Sequence, residues 1–396
     1  MCAEKPKICH VLEAGELSGC GRMVAAICHG LDPGKYDVVL VFAVRPGTLR
    51  EEFEASFPSH VRKCFMPELV RSIDPLKDLA ALIRLYTFFK RERPDVVHVH
   101  SSKAGVLARF AGWGSGIKKI FYSPHGYSFR MTDVSRFART VYFVAEWVAS
   151  KIGHIIANGP NEARFARQLA GPEKVHECYN AIDIDRCMLK SRQRVAGPLR
   201  VVTCGRITAA KYPEAFVRLA VRLSGALPDL TYVWIGGGEP GATKELLDFV
   251  RQHRLQEKFH ITGWLTQDSA WEQLAQADVV VHYSRWDVLP TSVLESMALE
   301  RPVVGSTTVD QIIHGDTGFI ARDEDQLYYF VRQLLENAEL RAGFGTRARQ
   351  IAEERYALSR LIGELETVYG YPRSVELPKH CAAGGDCDAE ETRSIS

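Results

Sequence analysis

The stretch Ser284-Arg285-Trp286-Asp287-Val288-Leu289-Pro290-Thr291-Ser292-Val293-Leu294-Glu295-Ser296-Met297-Ala298 places two carboxylates eight positions apart around a turn that becomes a helix. The apolar run Val279-Val280-Val281 before it has the length of a short buried strand, and Pro290 suits a first helical turn, where its missing N–H is no loss. Asp287 therefore precedes the helix and Glu295 projects from it. A helix that opens at a strand's end presents free backbone N–H groups and the positive end of its macrodipole, and both attract a phosphate oxygen. A carboxylate farther along can accept hydrogen bonds from a vicinal diol such as ribose. The pattern reads as a sugar-nucleotide site. In isolation it also fits a capping aspartate followed by a solvated glutamate.

Other residues could join this chemistry. Arg206 follows an apolar strand-like run, and Lys211 comes five residues later across Ile207-Thr208-Ala209-Ala210. The two cations can converge on a diphosphate, the arginine as a fork and the lysine as a mobile point charge; surface ion pairs with the helix after Pro213 are the alternative. The loop Glu13-Ala14-Gly15-Glu16-Leu17-Ser18-Gly19-Cys20-Gly21-Arg22 joins the first strand to the first helix, and its glycines let the backbone approach an anion or a sugar. By themselves such glycines serve the turn. His125, in Ser123-Pro124-His125-Gly126, stands at the carboxyl end of a strand, which in an open α/β domain faces the ligand crevice. His98 and His100 share one strand face and have the look of a metal pair, but no further ligand is near in sequence, and no metal or cofactor is expected.

These motifs together resemble the family 4 retaining glycosyltransferases. The family's acidic pair is two glutamates eight apart, followed by Ala-Met-Ala and Pro-Val-Val. Here Glu295 is followed by Ser296-Met297-Ala298 and Pro302-Val303-Val304, with Gly205-Arg206-Ile207 and Lys211 upstream and His314-Gly315-Asp316-Thr317-Gly318 downstream. The resemblance implies a GT-B fold and a metal-independent hexosyltransferase of the bacterial surface-polysaccharide or lipopolysaccharide type. Its donor would be a nucleoside diphosphate sugar, by default a UDP-sugar, and its acceptor a saccharide or lipid-linked saccharide. It further implies that His125, Arg206, Lys211 and Asp287 act at the reaction centre, with Gly19, Leu289, Ser292 and Glu295 on the donor alongside Arg206 and Lys211. Departures fall mainly near the sugar: aspartate replaces glutamate at 287, Val288 and Glu300 stand where glycines are common, and the loop Gly305 to Gln311 lacks the family's glycine pair and glutamate.

The positioning elements follow from periodicity. Apolar runs at Ile8–Leu12, Val38–Val44, Val96–Val99, Ile120–Tyr122 and Ile155–Ile156 read as strands, with helical patterns over 21–31, 75–92, 103–112, 134–152 and 161–169. A second series has strands at Leu199–Cys204, Tyr232–Ile235, Phe259–Ile261, Val279–His282 and Val303–Val304. This β-α alternation predicts an α/β protein of two Rossmann-like, doubly wound domains facing across a cleft. The expected division is 1–190 for the acceptor side, 191–198 for a linker, 199–372 for the nucleotide-sugar side and 373–396 for a disordered tail.

Bulk properties agree with a two-domain enzyme. The 396 residues exceed one ordinary core, and 46% hydrophobic with 25% charged residues is a globular balance. A net charge of +2 gives no argument for nucleic acid. Ten cysteines lie scattered without a Cys-x-x-Cys pair, as in a reducing compartment. No stretch approaches the roughly 20 apolar residues that cross a bilayer. A cytoplasmic protein is expected, at the inner face of the membrane if Trp147, Val148 and Ile152 with Arg136, Arg139 and Lys151 form a surface helix on anionic lipid. The same apolar face could instead pack in the first core. Two rival readings stay open: a catalytically silent nucleotide-sugar-binding scaffold, and an NAD(P)-dependent oxidoreductase, against which the first strand lacks a G-x-G-x-x-G.

Overall fold

The computed structural model describes residues 4–16, 19–45, 47–70, 73–131, 134–190 and 194–373. Among the described residues, thirteen strands in two wholly parallel sheets carry the architecture. The first sheet holds β1 (Lys7–Gly15), β2 (Asp37–Val44), β3 (Arg62–Phe65), β4 (Val96–His100), β5 (Lys119–Ser123), β6 (His154–Ala157) and β7 (Val175–Glu177), in the order β3-β2-β1-β4-β5-β6-β7. The second holds β8 (Leu199–Cys204), β9 (Leu230–Ile235), β10 (Phe259–Ile261), β11 (Val279–His282), β12 (Val303–Ser306) and β13 (Gly318–Ala321), in the order β10-β9-β8-β11-β12-β13. Strand order reverses between β1 and β4 and again between β8 and β11, so each sheet has one switch point where a crevice opens at the carboxyl ends.

Central strands are rich in apolar residues, as burial on both faces demands; β4 and β11 are buried along their whole length, including the histidines they carry. Strands β3, β7 and β13 were not expected. Arg62-Lys63-Cys64-Phe65 and Val175-His176-Glu177 are half-buried edge or near-edge segments without a long apolar run. The helix Pro75–Glu92 has its expected bounds, started by the Asp74 side chain, which accepts from the Lys77 amide, and by Pro75.

Each sheet has helices on both faces and therefore two apolar layers. The chain does not divide at the expected boundaries. Ile182, Ile184 and Cys187 pack in a layer of the second sheet, so the first crossing precedes residue 190. The final helix Leu358–Tyr369 returns to the first sheet, where Leu361, Ile362, Leu365 and Tyr369 are buried. Gly30 makes that return close: a Cβ there would lie 2.6 Å from Ile362. Of the expected linker, 191–193 lie outside the described residues, and Arg194 is tied to Asp278 at 2.6 Å. The expected tail lies outside the described residues from 374 onward.

The helix Arg136–Ala149 departs from the core-packing alternative. Its inward side carries Glu146, whose carboxylate takes the Arg109 guanidinium at 2.7 Å and the Tyr122 hydroxyl at 2.6 Å, all fully buried. That pairing turns the apolar side outward: Phe137, Val141, Val144, Trp147 and Val148 are exposed, Phe137 by 79%.

Candidate functional site

The two switch points border one cavity of about 560 Å³. From the first sheet come Glu13 near the end of β1, Glu16 and Gly19 after it, Ser101 just past β4, and the loop after β5 with His125. From the second come Gly205, Arg206 and Lys211 after β8 and the segment Trp286 to Glu295 after β11. All eight residues expected at the site, Gly19, His125, Arg206, Lys211, Asp287, Leu289, Ser292 and Glu295, line this cavity. The downstream turn His314-Gly315-Asp316-Thr317-Gly318 does not. It closes on itself through the Ile313 amide and Thr317 hydroxyl at 2.9 Å, and Asp316 pairs with Arg347.

The acid at 287 is engaged within its own sheet. One carboxylate oxygen forms an ion pair with Lys211 and accepts from His282 Nε2 at 2.8 Å, while the other accepts from the Val288 amide at 3.0 Å. Burial favours its neutral form, but the Lys211 charge and the His282 bond outweigh that and hold the carboxyl well below the usual range. Asp287 is not the helix cap. The helix Thr291–Ala298 begins after Pro290, with no side chain capping it. The amides of Thr291 and Ser292, which lack intrahelical acceptors, border the cavity at the positive end of the dipole. Gln311 fixes this opening by donating to the Pro290 carbonyl at 3.0 Å.

Glu295 is 3% exposed on the inner side of that helix. Burial pushes its carboxyl up, opposed by the nearby Arg22 charge. Arg206 reaches across the cleft to an ion pair with Glu16, which Arg45 also approaches, at 3.4 Å. His125 sits in the left-handed region, φ 50°, as do Leu289 at 40° and Ser101 at 68°; all three line the cavity. Strained backbone at one cleft is a usual companion of function. Gly19, φ 44°, opens its helix with empty space where a side chain would stand. Behind His125, hydrogen bonds join His100 Nδ1 to His125 Nε2 at 3.1 Å and His10 Nδ1 to His100 Nε2 at 3.0 Å.

Sequence reasoning passed over His282, Glu16 and Trp264. His282 is the last residue of β11, the same position rule that singled out His125, and its Nδ1 lies 3.4 Å from the Ser292 hydroxyl. Glu16 acquires its partner only when the two sheets face each other. Trp264, 56% exposed, offers a flat ring at the cavity edge.

Residues 17–186 match the model for Glycosyltransferase Family 4, and residues 189–351 match that for Glycosyl transferases group 1. Among curated proteins, the chain is 27% identical over 317 residues to the Escherichia coli UDP-Gal:alpha-D-GlcNAc-diphosphoundecaprenol alpha-1,3-galactosyltransferase, covering 76% of this chain and 79% of that one. It is 24% identical to the Bacillus anthracis N-acetyl-alpha-D-glucosaminyl L-malate synthase, covering 74% and 79%. Among solved structures, Anabaena HepE with UDP and glucose superposes with a TM-score of 0.76 at 18% identity, over 92% of this chain and 99% of that one. WaaG, a glycosyltransferase involved in lipopolysaccharide biosynthesis, superposes with a TM-score of 0.70 at 14% identity, over 92% and 100%.

Proposed function

Because the chain belongs to the glycosyltransferases, family 4 in its N-terminal half and group 1 in its C-terminal half, we propose that it moves a hexose from a UDP-sugar to a lipid-linked saccharide during surface-polysaccharide or lipopolysaccharide synthesis. The observation that carries this reading is the convergence of Arg206, Lys211 and the Thr291 and Ser292 amides on one cavity, with buried Glu295 behind them. Cations and a helix N-terminus attract a diphosphate, and a buried carboxylate is an acceptor for ribose hydroxyls. Leu289 contributes its strained backbone, Gly19 leaves room at the loop facing the phosphates, and Trp264 supplies a face for the base. The activity of the Escherichia coli relative, which takes galactose from UDP-Gal and adds it to a diphosphoundecaprenol-linked sugar, supports both the UDP donor and the lipid-linked acceptor.

Transfer with retention then proceeds on one face of the sugar. The bond from the anomeric carbon to the β-phosphate oxygen breaks and its electron pair leaves with that oxygen. The acceptor hydroxyl oxygen bonds the same carbon from the same side and gives its proton to the departing phosphate. Arg206, Lys211 and the helix amides stabilise the charge growing on the leaving group, and their fixed positions make them effective without reorganisation. His125 and Asp287 orient the hexose.

The outward apolar face of Arg136–Ala149, rimmed by exposed Arg136, Arg139 and Lys151, is suited to rest on anionic lipid at the inner face of the membrane, where a lipid-linked acceptor lies. No helix among the described residues is long and apolar enough to cross a membrane. The test of the function is twofold. Thermal unfolding with UDP-, GDP- and ADP-sugars should show stabilisation by a UDP-hexose and not by NAD or NADP. That hexose, radiolabelled, should pass to a diphosphopolyprenol-linked sugar. Stabilisation without transfer or hydrolysis would favour a silent scaffold, and no stabilisation by any nucleotide sugar would overturn the reading.

A further inference from the structure

Four histidines crowd the switch point of the first sheet: His10 on β1, His98 and His100 on β4, and His125 just past β5. The His98 and His100 rings lie 4.1 Å apart, and His10 is within 5.4 Å of both. Ligand nitrogens of His10, His98 and His100 are close enough to share a metal ion, as are atoms of Cys20, His100 and His125. The hydrogen bonds argue for another use. The Ser123 hydroxyl donates to the Ile156 carbonyl at 3.2 Å, so it accepts from His98 Nε2 at 2.9 Å; His98 Nδ1 in turn accepts from the Tyr369 hydroxyl at 2.6 Å. Both nitrogens of His98 are committed. Both nitrogens of His100 are committed as well, one to His10 and one to His125.

The three remaining rings form a chain, His10 Nδ1 to His100 Nε2 and His100 Nδ1 to His125 Nε2, and a neutral imidazole carries one N–H. Burial lowers the proton affinity of all three, so each is neutral at pH 7. Only two proton arrangements satisfy both bonds. If every ring donates toward the interior, His10 must carry its proton on Nε2, which is buried and has no partner among the described residues. If every ring donates toward the cleft, His10 Nε2 is a bare lone pair. An orphaned buried N–H is the rarer and costlier defect, so the second arrangement is preferred.

We propose that His10 and His100 are positioning residues which, through this one-way chain, hold His125 as its Nδ1–H tautomer and so present a neutral hydrogen-bond donor to a hydroxyl oxygen of the transferred hexose. The proposal rests on the reading that places the hexose beside His125. His125 Nδ1 has no partner among the described residues, and the ring lines the cavity, so the proton is available there. The device needs no charge. A dry, uncharged N–H favours one orientation of a hydroxyl without repelling the cationic character that develops at the anomeric carbon.

The test is 15N NMR of histidine-labelled, full-length protein at pH 7 with UDP, reading the two-bond couplings that separate Nδ1–H from Nε2–H rings. The expected result is an Nδ1–H signature for His125, His100 and His10 and an Nε2–H signature for His98. His100→Leu should leave His125 a mixture of tautomers and lower kcat about tenfold or more with the dissociation constant of UDP unchanged. In His100→Asn the amide nitrogen takes the place of Nδ1, and kcat should recover to within about threefold of the parent. His10→Leu, as an independent variant should His100→Leu fail to fold, ought to shift the His100 and His125 signals toward mixed tautomers. An Nε2–H signature for His125 in the parent overturns the proposal without any variant. So does a stoichiometric metal ion, found by elemental analysis, that His10→Leu loses. If the parent binds no UDP-sugar, the underlying functional reading fails; if it binds and transfers while His100→Leu keeps its tautomers and its kcat, only the relay fails.

Discussion

Arg206, at the end of a strand in the second sheet, is ion-paired with Glu16, in the first loop of the first sheet, so the two halves are joined across the cleft by a contact at the proposed diphosphate position. A donor must displace Glu16 before its phosphates reach the guanidinium. Glu16→Gln should therefore tighten UDP binding by about two- to fivefold, the scale of a partly exposed ion pair. Arg206→Ala and Lys211→Ala should lower kcat by a factor of about 100 or more, because charge on the leaving group grows toward the transition state. Calorimetric titration and initial rates check both. Weaker UDP binding by Glu16→Gln would mean that Glu16 helps build the site instead of occupying it.

Asp287 and Glu295 ought to fail differently. Glu295→Gln weakens an acceptor for the ribose and should reduce UDP affinity by about 1 to 2 kcal/mol. Asp287→Asn removes the charge that holds Lys211, so the lysine is released to the phosphates and UDP affinity should rise about threefold while transfer falls. A loss of UDP affinity in Asp287→Asn comparable with that of Glu295→Gln would show that the two acids share one role.

Much of this site could be read along the chain, because strand ends and helix starts are local. Val279-Val280-Val281 announces its strand, Pro290 its helix, and the interval between them fixes where Asp287 and Glu295 stand. Long-range relations could not be read in the same way. Glu16 and Arg206 are paired only through the approach of two sheets. The outward face of Arg136–Ala149 was undecided from its own pattern. It depends on Arg109, which lies on another helix and claims Glu146 for the interior. The return of Leu358–Tyr369 to the first sheet is likewise a packing preference between distant apolar faces, with no local mark.

The buried histidines make a prediction about acid. His10 and His125 are held down to about 4 by burial, and His98 and His100 well below their ordinary value by burial, with the charge of His10 and His125 adding to it. An unfolded chain protonates them below about 6.5, so between about 6.5 and 4 it binds more protons than the native state, and their contribution to stability falls as pH falls. Above that window the contribution is constant. Glu162 and Glu295, whose carboxyls are raised by burial, take up protons on folding and act in the opposite sense. A difference between parent and variant isolates the histidines. In His98→Gln the slope of unfolding free energy against pH should drop by about 1.4 kcal/mol per unit below pH 6. Asp287, depressed below its unfolded value, contributes above about 3.8 and loses that contribution only at lower pH, outside the window. Urea titrations at several pH values with equal slopes for parent and variant would show that His98 is protonated in the native state.

The surface helix gives the last prediction. Phe137, Val141, Val144 and Val148 recur at near-helical spacing on its outer side, joined by Trp147. Lys151 lies over the Trp147 ring, 5.0 Å from its centre, which places a cation where an aromatic side chain would meet lipid headgroups. Leu76, Leu79 and Ile83 of Pro75–Glu92 are likewise exposed by 55% or more, and Trp113 by 67%. Apolar insertion and charge attraction should act together, so the two can be separated by substitution. Arg136→Glu with Arg139→Glu should release the protein from vesicles containing anionic lipid, since each basic residue near such a surface contributes roughly 1 kcal/mol, and should leave its weak binding to neutral vesicles as it was. Phe137→Ser with Val144→Ser should weaken binding to both. Turnover of a short, water-soluble acceptor should be the same in all four proteins, counting the parent and the combined variant, because this helix lies outside the cavity. Sedimentation of the parent equal on neutral and anionic vesicles would remove the electrostatic part, and no sedimentation on either would leave the outward face to a protein partner.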